Sequence, residues 1–428
     1  MWLIKDSPAL FVDLYELTMA QVYFKKKMSD TAYFEVAIRR LPEHWGFFVM
    51  AGLVEVESYL REFRFTKEDT DYLRSTKIFS DDFLNYLSNV RPEVSIRCLP
   101  EGTVFFPNEP IFEVAGPLIC AQILESYILN ILGFSIIEAT LAARAYIAAN
   151  GAAIVDFSLR RCQGPVASMR SARAAQMAGF AATSNVFAAR ELHFVPTGTM
   201  AHSFVEVHDS EQQSFQNFAE SYGQNAILLV DTYNSIEGIK KAAEVAKQFY
   251  EQEGIKIRGI RLDSGDLVEL SNFARKYFQQ KDVSFLKIFA SGDLDEFKIY
   301  DLLKAGAQID GFGIGTRFAV SRFAPAVEIV YKIVQYGDKG IFKTSPDKES
   351  RPGRKTITRI RDKSASADKY YKKDIVSQWQ ANPDDLLKSF ESTEKMQTIQ
   401  RRLAAELSSL DDSIKAIRNP AKYLVEFT

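Results

Sequence analysis

The chain has 428 residues, of which 46% are hydrophobic and 25% charged, and its formal net charge is −2. This composition is typical of a globular protein with a large core, and the charge balance gives no indication of a nucleic-acid or membrane partner. The three cysteines lie far apart, the N-terminus has no signal-peptide pattern, and no window of about 18 uninterrupted apolar residues predicts a membrane span, so we expect a cytoplasmic protein without a zinc site or disulfides.

The two ends of the chain predict mixed α and β structure. Apolar residues at helical spacing indicate a helix over residues 10–24, and the run TAYFEVAIRRL indicates a strand. After Tyr331, the runs VEIVYKIVQYG and KTITRIRD indicate antiparallel strands, followed by a helical tail. We therefore expect an α+β side domain built from both chain ends. Residues 1–115, with the leading helices, form its N-terminal part, and residues 331–428, with the helical tail, form its C-terminal part.

Residues 116–330 predict an α/β barrel. Two long apolar helices come first, and from Ala152 short apolar runs with polar C-terminal ends then alternate with helical stretches, at intervals of roughly 25–40 residues. Apolar strands of this kind form parallel sheets that are buried on both faces. Polar strand ends in six successive units favour a barrel, whose catalytic face lies there, over a doubly wound open sheet. The predicted runs are AAIVDFSLR, ELHFVPTGTMAHS, AILLVDTYNS, IRGIRLDSGD, LKIFASGD and IDGFGIGTR.

The run GIRLDSGDL places Arg261, Asp263 and Ser264 at one strand end. A buried aspartate beside an arginine is stable only if the charges pair or bind a charged ligand. The alternative is a structural ion pair in which Asp263 or Ser264 caps the next helix.

Two glycine-containing turns follow in the last two units. Gly292 and Asp293 lie in the first turn, and Gly313, Gly315 and Thr316 in the second. Backbone N–H groups in such turns bind anions, and these units are the usual phosphate site of a barrel. A tight turn without a ligand is the alternative, but two turns in succession favour phosphate.

His202, in the run TGTMAHSF, is the histidine with a chemical context. It follows a predicted strand, where a nucleophile or a general base is plausible chemistry. Asp231, in LLVDTYNS, lies at a strand end from which its carboxylate would fix the tautomer of the ring. A lone histidine is more often structural, and we interpret His193 and His208 in that way.

The run DFSLRR offers an aromatic ring at Phe157 and cations at Arg160 and Arg161. A flat aromatic acid is bound by a stacking ring and an arginine, although a core phenylalanine and solvated arginines are the alternative. The absence of GxxxxGK[ST] disfavours a P-loop kinase.

Eight ordered blocks between residues 10 and 355 resemble nicotinate phosphoribosyltransferases. That family has an atypical α/β barrel with a side domain built from both chain ends, and it forms a homodimer. The resemblance implies transfer of phosphoribosyl from phosphoribosyl pyrophosphate to nicotinate, with Mg²⁺ and with ATP hydrolysis coupled through a phosphohistidine. This reaction is the first step of NAD salvage from nicotinate. The blocks are DLYELTMAQVYF, LPEGTVFFPNEPIFEVAGPL, TGTMAHSF, LLVDTYNS, IRLDSGDL, FASGDLDEF, GFGIGTR and KTSPDKESRPGRK.

The resemblance also implies roles for individual residues. His202 would be phosphorylated and Asp231 would orient it, while Arg261 and Asp263 would face the ribose and pyrophosphate. DFSLRR lacks the glycines of the family pattern, so Arg160 and Arg161 both remain candidates for facing the substrate. The implied substrate contacts are Tyr15 of the partner subunit together with Phe157, Arg160, Ser184, Asn185, Thr199, Ser264, Gly292, Asp293, Gly313, Gly315 and Thr316.

The turn Thr183–Ser184–Asn185 bears on substrate choice. Nicotinamide-using relatives carry an aspartate in this turn, which would repel a carboxylate, whereas Ser184 and Asn185 can donate hydrogen bonds to one. We therefore expect nicotinate, with nicotinamide as the alternative. A sugar-phosphate aldolase or isomerase is disfavoured because no lysine lies at the predicted strand ends. A silent homologue would have lost His202 or Asp263, and both are present.

Overall fold

The computed structural model describes residues 8–345, 351–362 and 370–428. The chain divides into two compact units, one formed by Met1–Ile137 with Ala326–Thr428 and the other by Glu138–Pro325. The middle of the block KTSPDKESRPGRK, residues 346–350, lies outside the described residues.

The helices and strands are numbered here in chain order. The helices are α1 Leu14–Lys25, α2 Leu53–Glu62, α3 Lys67–Ser75, α4 Asp81–Asn89, α5 Leu118–Gln122, α6 Glu125–Ala148, α7 Pro165–Met177, α8 Val186–Glu191, α9 His202–Glu206, α10 Glu211–Tyr222, α11 Ser235–Glu253, α12 Leu267–Gln280, α13 Glu296–Lys304, α14 Thr316–Ala319, α15 Met396–Ser409 and α16 Asp412–Lys415. The strands are β1 Thr31–Ile38, β2 Phe48–Val49, β3 Ser95–Cys98, β4 Val104–Phe105, β5 Phe112–Pro117, β6 Ala153–Asp156, β7 Ala182–Thr183, β8 Ile227–Leu229, β9 Gly259–Leu262, β10 Lys287–Ala290, β11 Gly311–Ile314, β12 Ile329–Tyr336, β13 Lys339–Gly340, β14 Lys355–Arg361, β15 Tyr371–Gln378, β16 Lys388–Ser389 and β17 Leu424–Phe427.

The first unit is built on a six-stranded sheet with the order β13-β12-β1-β5-β3-β16. β1 lies inside this sheet and is mostly buried, and it pairs antiparallel with β12 and with β5. A second sheet has the order β14-β15-β17. The predicted strands TAYFEVAIRRL, VEIVYKIVQYG and KTITRIRD are confirmed as β1, β12 and β14.

The second unit contains a parallel sheet with the order β7-β6-β11-β10-β9-β8. All of its neighbouring strands pair in parallel register. β11 is buried along its whole length, as expected for a central strand covered on both faces. Parallel strands place their carboxyl ends at one edge, so the predicted polar strand ends share an edge of the sheet.

The described sheet is a curled half-barrel that is open between β7 and β8, and not the complete barrel that the sequence predicts. The run ELHFVPTGTMAHS, predicted as a strand, contributes one bridge between Thr183 and Pro196. This bridge is made by Thr183 N–H to Val195 O and by Thr197 N–H to Thr183 O, both at 2.9 Å. Pro196 has no N–H to offer to a strand on its other side. Side chains bridge the opening between β7 and β8 instead. Arg261 donates to Thr199, and His202 contacts Thr232.

The run SARAAQMAGFAATSNVFAAR contains the end of α7, then β7 and most of α8. Gly179, with φ +90°, follows the end of α7 in a conformation that favours glycine. The side chain of Asn185 then caps α8 by accepting from Ala188 N–H at 3.1 Å.

The segment Leu118–Ala149 is long and apolar enough to cross a membrane by length and composition. Of its most apolar window, 67% is buried inside the fold. We therefore interpret this segment, which contains α5 and α6, as a core element.

Candidate active site

A pocket lies inside the curl of the parallel sheet, and the space between its walls, counted out to open solvent, is about 660 Å³. It extends from Arg258, just before β9, to Arg261 and Ser291 at the carboxyl ends of β9 and β10. Among the described residues that line it there are two arginines but no carboxylate and no lysine. The pocket is thus apolar and cationic. Its wall is formed by Ala153, Val155, Phe157, Ala181, Ala182, Val195, Pro196, Thr197, Thr199, Ile227, Arg258, Arg261, Phe289, Ala290, Ser291 and Gly313.

Arg261 is held rigidly on this wall. Its Nε donates to Ser291 Oγ at 2.7 Å, its Nη1 to Thr199 Oγ1 at 2.9 Å and its Nη2 to Asp263 Oδ1 at 2.6 Å. The guanidinium carbon lies 5.5 Å from the centre of the Phe157 ring. Three of the five N–H donors of an arginine are therefore used within the protein, and the others are available to a ligand beside an aromatic surface.

Asp263 is ionised at this strand end because of its neighbours. Burial raises its pKa, but the Ser291 hydroxyl and the Arg261 guanidinium, with a smaller effect of His202, lower it more, so the pKa lies below the usual aspartate value. The carboxylate therefore stays negatively charged at neutral pH.

His202 is the first residue of α9, and its side chain is 42% exposed. Its Nδ1 lies 3.1 Å from Thr232 Oγ1, and its Nε2 lies 3.9 Å from Asp263 Oδ2. Thr232 and Asp263 thus face the two ring nitrogens in this geometry, while the orienting role of Asp231 stays a prediction.

Asp231 instead supports the turn after β9. Its Oδ2 accepts from Asp263 N–H at 3.0 Å and from the Ser264 hydroxyl at 2.5 Å. Its Oδ1 is buried and has no hydrogen-bond partner among the described residues. Ser264 is thereby bonded to Asp231, and its hydroxyl proton is not free for a substrate.

The turns after β10 and β11 require glycine because a Cβ atom there would collide with neighbouring atoms. Gly292 has φ +93°, and a Cβ there would lie 2.0 Å from the carbonyl oxygen of Asp263. A Cβ on Gly313 would lie 2.5 Å from the Phe157 ring, and one on Gly315 would lie 2.9 Å from the Phe157 carbonyl oxygen. These glycines therefore allow the turns and the Phe157 ring to approach each other at the strand ends.

Arg317 links the two glycine turns. It donates to Asp293 at 2.5 Å and to Asp295 at 2.7 Å, and Thr316, just before it, is exposed. This guanidinium holds the pKa of Asp293 at about 2, with a smaller contribution from Lys298. Asp293 is thus a charged residue that fixes the β10 turn against the β11 turn.

The polar groups of the turn after β7 bond mainly to other groups of the protein. Asn185 is buried, its carbonyl oxygen caps α8, and its Nδ2 lies 3.5 Å from Ser168 Oγ. The cap uses the carbonyl oxygen, so donation from the Nδ2 group of Asn185 to a substrate carboxylate stays a prediction. Ser184 is half-buried, and its N–H donates to Asp156 O at 2.8 Å.

Phe157, Thr199 and Gly313 are the predicted substrate contacts that line the pocket, and Arg160 and Tyr15 are among those that do not. Arg160 and Arg161 form an exposed 3₁₀ turn, and neither lines the pocket. Tyr15 belongs to the first unit, where it is 46% exposed on α1. Burial and the nearby Glu125 raise the pKa of Tyr15, so it remains a neutral phenol.

Sequence reasoning missed two hydroxyl groups at this site. Ser291 bonds both Arg261 and Asp263, and Thr232 faces His202. A signal for Ser291 was present, since it lies two residues after the apolar Phe289 and therefore shares its face of β10. Thr232 carries the weaker signal of following Asp231 at a strand end.

Family models match most of the chain. The model of the nicotinate phosphoribosyltransferase N-terminal domain matches residues 10–133. The model of the nicotinate phosphoribosyltransferase family matches residues 152–373, which contain the whole pocket wall.

Individual proteins are similar over comparable lengths. Nicotinate phosphoribosyltransferase pncB2 of Mycobacterium tuberculosis is 44% identical over 82% of this chain and 75% of its own, and the Bacillus subtilis nicotinate phosphoribosyltransferase is 38% identical over 83% and 74%. Among solved structures, human nicotinic acid phosphoribosyltransferase matches with a TM-score of 0.81 at 24% identity, over 97% of both chains. Nicotinate-nucleotide pyrophosphorylase from Pyrococcus furiosus matches with a TM-score of 0.74 at 23% identity, over 93% of this chain and 94% of its own. At these identities the two structures establish the fold alone.

Proposed function

The chain belongs to the nicotinate phosphoribosyltransferase family, and we propose that it transfers phosphoribosyl from phosphoribosyl pyrophosphate to nicotinate. The products are nicotinate mononucleotide and pyrophosphate. One observation carries the choice of nicotinate: the pocket holds a fixed guanidinium, Arg261, beside the Phe157 ring. The reduced thiols Cys98, Cys120 and Cys162 suit a cytoplasmic enzyme.

The charges of the pocket support an acidic pyridine. A carboxylate gains more than a neutral carboxamide from a desolvated guanidinium, and the described wall has no carboxylate to repel it. We propose that Arg261, and not the exposed Arg160, receives the carboxylate of nicotinate, while Phe157 stacks on its ring. Ser184 is a further donor near the same strand ends.

The chemistry is a displacement at C1 of the ribose. The pyridine nitrogen forms a bond to C1 as the C1–oxygen bond to pyrophosphate breaks and the bonding electrons leave with pyrophosphate. Positive charge develops on the ribose in the transition state, so the ionised Asp263 is suited to lie beside it. The pocket contributes by holding the pyridine in line with C1, and the turns at Gly292 and Gly313–Thr316 offer backbone N–H groups to the phosphates.

Magnesium fits this site as a companion of the substrate. Among the described residues no three His, Cys, Asp or Glu side chains form a metal-binding group, but Mg²⁺ commonly uses substrate phosphates, water and one or two carboxylates. Asp293, in the glycine turn after β10, is the carboxylate that would hold it. The bound ion would neutralise charge on the departing pyrophosphate.

We also propose that ATP hydrolysis is coupled through His202. In the tautomer with the ring proton on Nδ1, facing Thr232, the lone pair is on Nε2, which lies 3.9 Å from Asp263 Oδ2. The γ-phosphoryl group of ATP would form a bond to Nε2 as the bond to the bridging oxygen breaks and ADP leaves. Water would later cleave the N–P bond. The extra negative charge near Asp263 would change the affinity for substrates and products.

A His202→Ala variant tests this coupling. We expect nicotinate-stimulated ATP hydrolysis to disappear, while transfer without ATP stays within about ten-fold of the unmodified protein. His208→Ala is the matched control, because His208 bonds the Phe204 carbonyl at 2.6 Å beyond the same short helix. Equal loss of ATP hydrolysis and ATP-free transfer in His202→Ala would contradict a role restricted to coupling.

We further propose a homodimer in which the partner subunit's Tyr15 closes the outer face of the pyridine site. Tyr15 is exposed and neutral on α1, as a stacking residue requires. Mixing inactive Tyr15→Ala and Phe157→Ala subunits should restore roughly a quarter of the activity, because each mixed dimer then contains one intact site. No recovery on mixing would oppose a shared site.

The function itself is tested by measuring mononucleotide formation from phosphoribosyl pyrophosphate with nicotinate or nicotinamide, with and without ATP. We expect kcat/KM for nicotinate to exceed that for nicotinamide by at least about a hundred-fold, the discrimination expected when a buried charge loses its partner. A preference for nicotinamide would contradict the assignment of substrate, and no product from either pyridine would contradict the reaction.

A further inference from the structure

Ser291 occupies a defined position beside the charged groups of the site. It is the first residue after β10, and 4% of its surface is exposed. Its N–H donates to Leu262 O at 2.9 Å, which continues the parallel ladder of β9 and β10 and sets Ser291 next to Asp263. Because alternate residues of a strand share a face, Ser291 faces the pocket together with Phe289.

The Ser291 hydroxyl makes two bonds at once. Its O–H donates to Asp263 Oδ1, and its oxygen accepts from Arg261 Nε at 2.7 Å. Arg261 Nη2 donates to the same carboxylate oxygen at 2.6 Å. The three side chains therefore form a closed ring of hydrogen bonds, and the second carboxylate oxygen, Oδ2, is left facing His202 Nε2 at 3.9 Å.

The backbone after Ser291 keeps this hydroxyl in place without a ligand. Gly292 has φ +93° and approaches the carbonyl oxygen of Asp263 so closely that a Cβ would lie 2.0 Å from it. Asp293 follows with φ +52° and is held by Arg317. The turn after β10 is thus held between Asp263 and Arg317, and this fixes the position of the Ser291 hydroxyl.

We propose that Ser291 is a positioning residue for the transfer reaction: its hydroxyl fixes the Arg261 guanidinium against Phe157 and directs Asp263 toward His202. The effect of Ser291 on catalysis rests on the proposed function. Without the hydroxyl, Arg261 Nε loses its acceptor in a buried place and the carboxylate loses a donor. Arg261 would then sample other orientations, and its guanidinium would no longer be preorganised for a substrate.

The same hydroxyl influences the ionisation of Asp263. Burial raises the pKa of Asp263, and the hydrogen bond from the Ser291 hydroxyl lowers it, together with the charge and the hydrogen bond of Arg261 and the charge of His202. Loss of the hydroxyl therefore raises this pKa. Since the enzyme needs the ionised carboxylate, activity would be lost at a higher pH on the acidic side of the profile.

The test compares Ser291→Ala with Ser291→Thr and with Ser271→Ala as the control. Ser271 is fully buried on α12, where its hydroxyl also donates to one group, Val268 O, and accepts from another, Gln308 N–H. We expect Ser291→Ala to lose about ten- to a hundred-fold in kcat/KM, with the acidic limb of the pH profile about one pH unit higher. Ser291→Thr should restore the acidic limb, and Ser271→Ala should leave it unchanged.

A second measurement does not depend on catalysis. The ring proton resonances of His202, assigned by comparison with His202→Ala, sense the charge of Asp263 and should show its ionisation at the acidic end of a titration. We expect this inflection to move to higher pH in Ser291→Ala, and in Ser291→Cys if the alanine variant does not fold. An unchanged inflection overturns the inference, whether or not the unmodified protein has transfer activity. An unmodified protein without transfer activity would overturn the proposed function instead. Equal pH profiles in Ser291→Ala and Ser271→Ala would also overturn the inference.

Discussion

The ends of β6 and β9 both carry an aspartate, but the two carboxylates have different surroundings. Asp156, the last residue of β6, is fully buried; its Oδ1 accepts from Ser158 N–H at 2.8 Å and its Oδ2 from the Thr183 hydroxyl at 2.7 Å. Asp263, one residue after β9, is part-exposed and pairs with Arg261 at 2.6 Å. The first carboxylate closes its own turn, whereas the second faces a pocket.

The difference lies in which donors each carboxylate meets. A carboxylate satisfied by its own turn and a neighbouring strand stabilises the fold and has nothing left for a ligand. A carboxylate paired with a guanidinium at a pocket wall keeps its charge. The pKa of Asp263 is accordingly lowered, whereas the pKa of Asp156 is raised, mainly by burial. Position at a strand end therefore does not make an aspartate functional, and the partners decide.

The largest expected effect follows from removing the cation of the β9 end. Arg261→Ala should lower kcat/KM for nicotinate between about a hundred- and a thousand-fold, because both Asp263 and the substrate carboxylate lose their charged partner. Arg261→Lys should recover only part of this, because an ammonium cannot reach three fixed acceptors as a planar guanidinium does. Steady-state kinetics with each substrate varied will measure both variants.

Arg160→Ala is the control for this prediction. Arg160 is exposed and does not line the pocket, so its loss should change kcat/KM less than about three-fold. If the Arg160 and Arg261 variants lose the same activity, the placement of the nicotinate carboxylate at Arg261 is wrong.

The β6 end should respond in stability instead of activity. In Asp156→Asn, one of the two buried donors, Ser158 N–H or the Thr183 hydroxyl, faces an amide NH₂ and loses its acceptor. This costs about 1–3 kcal/mol of unfolding free energy, and thermal denaturation should show a midpoint several degrees lower. Asp263→Asn should show the reverse, with a loss of transfer and little change of midpoint. A stable but inactive Asp156→Asn variant would remove the distinction between the two strand ends.

Much of this site was predictable because parallel strands end at one edge of a sheet. The runs that carry Phe157, Arg261 and Gly313 were each interpretable from apolar residues followed by polar ones, and the structure places all three on the pocket wall. That inference needed only the order of strands and helices, which apolar periodicity indicates well.

The partners of the charged groups were not predictable in the same way. Which hydroxyl meets a charged side chain depends on the register between strands that are far apart in sequence, as for Thr232 with His202. β7, at Ala182–Thr183, is too short to show any periodicity. The prediction of closure failed at Pro196, where one bridge replaces a ladder. Local patterns therefore predicted the elements, while the contacts that tune the site depend on tertiary packing.

The smallest expected effect concerns a second buried carboxyl, which lies near the β6 end. Burial raises the pKa of Glu138 to about 8, and the Ser171 hydroxyl, which donates to it at 2.6 Å, only partly opposes this. The folded protein therefore binds a proton that the unfolded chain releases above its ordinary glutamate pKa, so stability falls as pH rises toward 8. Glu138→Gln cannot titrate, so its denaturation midpoint relative to the unmodified protein should rise by about 2–4 °C between pH 6 and pH 8. In Glu296→Gln the buried Arg144 loses its charged partner at 3.2 Å, so that variant should be destabilised at both pH values. A constant difference between Glu138→Gln and the unmodified protein would mean that Glu138 is already ionised in the fold, and the β6 end would then hold two buried charges.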